Sequence, residues 1–360
     1  MGAGNNTIFG NGGNDTIYIG DGFNTVDTGD GDNLIYVSGT GLVDVKGGAG
    51  FDRLVLAPIT STPATPLTFN AHEFKQGDRT IDFTDALDRI EVTDLAATTK
   101  LVSAPNATWG ATDFALDASG VVDVSSATLV APEALVSIKA AGIQGTLNTD
   151  LAELTIVISG AAGAAFDDIV VHELNDLSII SDNRVNGGLY SATGRIEVDL
   201  ATADALLSLD SGVISTASGG GEIRIVADDV DFVSGDNKVI GTGDLVMKSL
   251  TSTQNYRIGA AGQSTYGHDY SVPAGRDGNF DLGMRDLSAL RDGFASITIG
   301  HSQPGVLMSV GDIEDAAVGI YSFNARFTDR ATLLADRINI MGDVQSTDTL
   351  VLNEIGRAHV

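Results

Sequence analysis

Cut every nine residues, positions 1–36 read MGAGNNTIF, GNGGNDTIY, IGDGFNTVD and TGDGDNLIY. Position 4 of each block is Gly (Gly4, Gly13, Gly22, Gly31). Position 6 is Asn or Asp (Asn6, Asp15, Asn24, Asn33), and position 8 is Ile or Val (Ile8, Ile17, Val26, Ile35). Three columns held at one period mark a repeat architecture, since Asn/Asp/Gly turns alone impose no such period. The Gly-rich half of each block suits a tight turn that needs φ > 0 at some positions. The other half suits a short strand whose position-8 aliphatic turns inward. Two blocks make one coil, so alternate turns stack along one edge. There the position-6 side chains and turn carbonyls could surround a hard cation with oxygen.

Residues 47–55, GGAGFDRLV, continue the pattern. These blocks resemble the RTX (repeats-in-toxin) nonapeptide GGxGxDxUx, over roughly the first 55 residues. The resemblance implies a right-handed parallel β-roll with calcium (Ca2+) as structural ligand, secreted into a calcium-rich medium. Eighteen residues after Asp15 comes Asn33, and nineteen after that Asp52. One edge therefore carries Asp15, Asn33 and Asp52, with Asp30 and Asp32 close by. The other carries Asn6 and Asn24, with Asp21 near, and stops at Leu42 in the ten-residue block 37–46. Gly13, Gly31 and Gly50 complete the candidate metal-binding set on the first edge, which is the better provided of the two. Asn in place of Asp lowers the ligand charge and should weaken affinity.

The 360 residues include 48 Asp plus Glu against 20 Lys plus Arg, a formal net charge of −28. Such a chain repels phosphate backbones and anionic lipid heads, which argues against nucleic-acid partners. It suits divalent cations instead. With no Cys, disulfide and thiolate-metal chemistry is absent and oxygen-ligated cations are an alternative staple. No apolar run approaches the ~18 residues of a membrane span; the nearest, Leu154 to Phe166, reads as a buried strand and turn.

Residues 57–66, APITSTPATP, read as a linker after the roll. From 67 to 353, short segments of alternating apolar and polar residues recur between Gly, Asp, Ser and Thr turns. Examples are TIDF (80–83), RIEV (89–92 and 195–198), EIRIV (222–226), SITIG (296–300) and RINIMG (337–342). The alternating pairs Ile223/Ile225 and Ile338/Ile340 should point into the core. Only MRDLSALRDGF (284–294) reads as a helix. This pattern predicts an all-β chain, a parallel β-helix or solenoid following the β-roll, with an array of β-sandwiches as the alternative. Residues 287–312 and 331–344 resemble units of filamentous-haemagglutinin-like bacterial surface adhesins that carry RTX blocks among β-helical repeats.

The start, MGAGNN, has neither the basic nor the apolar region of a signal peptide and reads as mid-repeat. The last residues, EIGRAHV (354–360), resemble a translated sequencing adapter and are expected to form a non-native, exposed tail on a fragment of a longer chain.

Chemistry-bearing motifs are sparse. His172-Glu173 begins like the zinc motif HExxH, but position 176 is Asp, and strand end plus turn is the better reading. Tyr266, His268, Asp269 and Tyr270 group in a Gly-flanked loop that a β-helical polysaccharide lyase or epimerase could use. A plain polar loop interrupting a solenoid is the better reading. Asp167-Asp168 and Asp228-Asp229 read as solvated turns, and Trp109 as a packed side chain. The leading expectation is a calcium-stabilised structural or adhesive module of a large secreted or cell-surface protein, meeting cell-surface glycans or other surface proteins. A carbohydrate-active β-helical enzyme with an RTX secretion and folding block is the alternative.

Overall fold

A computed structural model describes residues 3–57, 66–70, 72–83, 87–95, 99–103, 111–182, 187–216, 219–233, 235–259, 278–316, 319–323, 325–342 and 344–354. The chain is all-β, with strands paired predominantly in parallel, and divides into two compact units, Met1–Asp168 and Ile169–Val360.

In the first unit the nonapeptide period becomes two alternating parallel sheets. Strands β1 (Asn6–Phe9), β3 (Asn24–Asp27) and β5 (Gly41–Lys46) form one. Strands β2 (Thr16–Ile19), β4 (Leu34–Val37) and β6 (Arg53–Leu56) form the other. The registers Ile17↔Ile35 and Ile35↔Leu54 place equivalent residues one coil apart. Val26, Ile35, Val45 and Leu54 are fully buried, because the strand period of two turns position 8 inward in each block. Outward, Tyr18 and Tyr36 stack with ring centroids 5.1 Å apart.

Both sheets continue beyond the Pro-rich stretch, most of which lies outside the described residues. A meander follows it: β7 (Leu67–Asn70), β8 (Glu73–Gln76) and β9 (Arg79–Phe83). Its strands pair antiparallel with one another, yet β9 rejoins β5 in parallel, with Gly41 opposite Arg79. Strand β10 (Arg89–Leu95) rejoins β6, with Ile90 opposite Leu54.

The second unit uses three strands per coil. Ile169–Glu173, Leu177–Ile179 and Gly188–Ser191 are followed by Ile196–Leu200, Leu206–Leu209 and Val213–Ser215. Each strand pairs in parallel with its counterpart one coil on. The first of these sheets runs on through Ile223–Val226, Asp244–Lys248, Ser296–Gly300 and Ala331–Ala335 to Leu350–Glu354. This is a solenoid and not a sandwich.

The expected helix is shorter than read: α1 covers Met284–Ala289, and the backbone turns extended at Leu290. Ile223 and Ile225 are buried as expected, but Ile340 is 47% exposed. Among the described residues its strand, Arg337–Ile340, is the outermost of its sheet and has no neighbouring strand on one side, although Ile338 on the same face is buried. No helix among the described residues is long and apolar enough to cross a membrane.

Candidate metal centre

The turns stack because they contain glycine. Gly13, Gly31 and Gly50 have φ of 105°, 126° and 124°, a region closed to most side chains. A Cβ on Gly31 would lie 2.4 Å from the Gly13 carbonyl oxygen, and one on Gly50 equally close to that of Gly31. The opposite edge repeats this, with a Cβ on Gly22 meeting the Gly4 oxygen at 2.4 Å and one on Gly41 the Gly22 oxygen at 2.3 Å.

On the first edge the structure brings Asp15, Asn33 and Asp52 into one ladder. The Asp15 backbone N–H donates to Asn33 Oδ1 (2.9 Å). The Asn33 amide Nδ2 donates to the Gly31 carbonyl (2.8 Å), the Gly29 carbonyl (3.2 Å) and Asp52 Oδ1 (2.7 Å). Asp52 is fully buried, and its Oδ2 accepts from the Gly48 N–H (3.0 Å). Three oxygens thus converge on one amide nitrogen, which supplies the positive end the turn requires. At Asp15 no amide can do this. Its Oδ2 is buried without a hydrogen-bond partner among the described residues. It lies 2.7 Å, and the Thr28 carbonyl oxygen 2.1 Å, from the point a Cβ on Gly10 would occupy.

Asp30, Asp32 and Asp21 also sit on the edges, but as acceptors for the next coil. Asp30 Oδ1 receives the Ala49 N–H, Asp32 Oδ1 the Phe51 N–H, and Asp21 Oδ1 the Thr40 N–H. These bonds tie successive turns together at the surface and leave each carboxylate one further oxygen.

The second edge is wired by amides. Asn6 Nδ2 donates to the Gly4 carbonyl (2.9 Å) and to Asn24 Oδ1 (2.8 Å), and Asn24 Nδ2 to the Gly20 carbonyl (3.4 Å). The register ends this ladder at Val43, opposite Asn24, and not at Leu42. The extra residue of the ten-residue block falls in the turn, where a nine-residue count cannot place it.

The ladder has a member that sequence reading missed. Asp88 Oδ2 accepts the Asp52 N–H at 2.6 Å. The signal was present: Asp52-Arg53 and Asp88-Arg89 are the same dipeptide, each followed by an aliphatic residue. The intervening meander hides the repeat.

An oxygen-rich turn with a buried, unpartnered carboxylate oxygen fits a hard cation, for which calcium is the chemical match. Asp15 and the Thr28 carbonyl would hold it. Among the described residues no three His, Cys, Asp or Glu side chains group to bind a metal, so backbone carbonyls would supply much of the shell.

The other sequence candidates resolve differently. His172 and Glu173 lie on a strand, where alternation puts His172 half-exposed on one face and Glu173 buried on the other. They share no helical face as HExxH requires. Asp167, Asp228 and Asp229 are buried, not solvated. Asp228 accepts from the Asp204 N–H and from the Thr251 N–H and hydroxyl, so neighbouring backbone replaces water around it. Asp229 Oδ1 accepts the Val230 and Asp281 N–H groups, and burial, reinforced by Asp281, pushes its pKa up to about 9. Tyr266, His268, Asp269, Tyr270 and Trp109 lie outside the described residues, as does the tail beyond Glu354.

The chain matches no family model, no curated protein and no solved structure.

Proposed function

We propose that residues 1–56 are a calcium-stabilised β-roll and that the chain is a structural or adhesive module of a large secreted or cell-surface protein. The observation that carries this reading is the buried, unpartnered Oδ2 of Asp15 beside the Thr28 carbonyl. A buried carboxylate oxygen with no donor costs free energy that a bound cation would recover. Nearby turns meet the same need with Asn amides, which leaves Asp15 as the place where a metal adds most. Extracellular calcium modules work at about 10⁻⁴–10⁻³ M, so the reading places the chain outside the cell. The long parallel sheets suit a spacer or scaffold that presents its outward ladders to cell-surface glycans or other surface proteins.

Thermal melting of the full chain in chelator and then in ~5 mM calcium tests this, because a ligand that binds only the folded state raises the midpoint. The wild-type midpoint should rise, and Asp15→Asn should lose most of the rise while keeping its hydrogen-bonding shape. Identical melting with and without calcium would sink the proposal.

A further inference from the structure

In the third coil of the second edge, position 6 is Val43, which can donate nothing to the turn carbonyls. We propose that Arg79, reached across the meander, is a built-in cation that closes this edge in place of a metal or an amide.

The register sets Arg79 opposite Gly41, one rung beyond the last glycine of the stack. The Gly41 N–H binds the Asp78 carbonyl at 2.9 Å, which fixes the Arg79 backbone at that rung. From there the side chain runs inward and is fully buried. Its Nε donates to the Gly39 carbonyl (2.9 Å), and its Nη1 to the Ala57 carbonyl (2.8 Å) and Gln76 Oε1 (3.4 Å). Gly39 is the counterpart of Gly20, whose carbonyl receives the Asn24 amide one coil earlier. The same turn oxygen is thus met by an amide in one coil and by a guanidinium in the next.

Three features support a cationic role over simple packing. Every acceptor Arg79 meets among the described residues is a carbonyl or amide oxygen, so turn dipoles and not a carboxylate hold the charge. Burial lowers its pKa to about 10, which leaves it charged at neutral pH. The turn also admits no side chain of its own, since a Cβ on Gly39 would lie 2.1 Å from the Gly20 carbonyl carbon. The charge therefore has to arrive from the next rung. Two buried donors, Arg79 Nη2 and Gln76 Nε2, find no acceptor among the described residues.

The inference stands apart from calcium at Asp15, and one experiment separates the two. Hydrogen exchange is followed by mass spectrometry on the full chain, with chelator and with calcium, for wild type, Arg79→Lys and Arg79→Met. Wild-type peptides covering 38–46 should stay protected in chelator whatever happens at 10–33. Arg79→Met should speed exchange at 38–46 at least tenfold in both conditions, and Arg79→Lys should retain more protection than Arg79→Met. Protection in Arg79→Met equal to or above that in Arg79→Lys would show that stem volume matters and not charge, and would overturn the inference. So would loss of wild-type protection at 38–46 on chelation. Loss confined to 10–33, or no effect of chelator anywhere, bears on the calcium reading alone.

Discussion

The roll at residues 3–56 and the three-stranded coils after Ile169 both bury aspartates, and they accommodate them by different means. In the roll, Asp52 sits among N–H and amide donors, and the turns are completed by amides, by Arg79 or, as proposed, by a cation. In the second unit, Asp229 and Asp286 lie where desolvation dominates. Asp286 accepts the Phe232 and Gly283 N–H groups (both 2.8 Å) and anchors α1, yet burial pushes its pKa up to about 7. Asp229, at about 9, is protonated at neutral pH. Neutral hydrogen-bond donors thus settle Asp52 in the roll, as they do Asp228 in the second unit, whereas at Asp229 a proton completes the balance.

This difference should appear first in the pH dependence of the second unit, where the largest effect is expected. Both groups have folded pKa values above the ordinary carboxylate value of 3.8. Their stabilising contribution is therefore complete below that value and is lost as pH rises towards about 7 for Asp286 and about 9 for Asp229. The slope is at most about 1.4 kcal/mol per pH unit for each group. Asp229→Asn retains an oxygen for the Val230 and Asp281 N–H groups and removes the titration. Denaturant melts of wild type and variant from pH 5 to 9 should show the variant gaining on wild type as pH rises. A constant gap would mean that Asp229 is held as a carboxylate, and the contrast with the roll would fail.

An effect of intermediate size comes from giving the roll the chemistry of the other unit. Asn33→Asp sets a carboxylate oxygen against the Gly29, Gly31 and Asp52 oxygens that now receive an amide. In chelator this should cost roughly 2–3 kcal/mol, the penalty for buried acceptors left without donors. Calcium should restore much of it, because the same oxygens then form a ligand set. Equal destabilisation with and without calcium would show that the turn cannot accept a cation there.

The period-nine columns made the roll legible from sequence, including its eighteen- and nineteen-residue steps, because each coil repeats the same local rule: Gly for the turn, aliphatic for the core. The parallel strands beyond it could be read from alternation in segments such as 222–226, although their rungs could not, since the three-stranded coils are joined by turns of unequal length. Arg79 was hidden because its role depends on a partner forty residues away in sequence, with a meander between. Asp228 and Asp229 were misread for a related reason: an Asp pair before a strand has the composition of a solvated turn. The packing of residues 204, 251 and 281 against it replaces the water. Ile340 failed the other way, since alternation gives a side chain's direction but not whether anything covers it.

The smallest effect should come from Asn24→Ala on the second edge. Asn24 is 2% exposed, and its amide meets the Gly20 carbonyl at only 3.4 Å, while its Oδ1 takes one short bond from Asn6. Asn6 belongs to the first rung and is partly exposed, so water can replace what the substitution removes from it. The Gly20 carbonyl loses a long, weak bond and keeps its place in the backbone stack. Together these suggest a loss of about 0.5–1.5 kcal/mol, the net worth of an ordinary hydrogen bond, with no change in calcium response. Asp15→Ala is the matched comparison on the first edge, because it removes a buried carboxylate oxygen that lacks a donor among the described residues. It should leave stability in chelator nearly unchanged or slightly higher and abolish most of the calcium-induced gain. Calcium titrations of the two variants by calorimetry, beside their melts in chelator, would separate the edges. If Asn24→Ala weakened calcium binding as much as Asp15→Ala, the edges would be equivalent as metal sites, and the amide on the second would be only a resting partner for oxygens that a cation can claim.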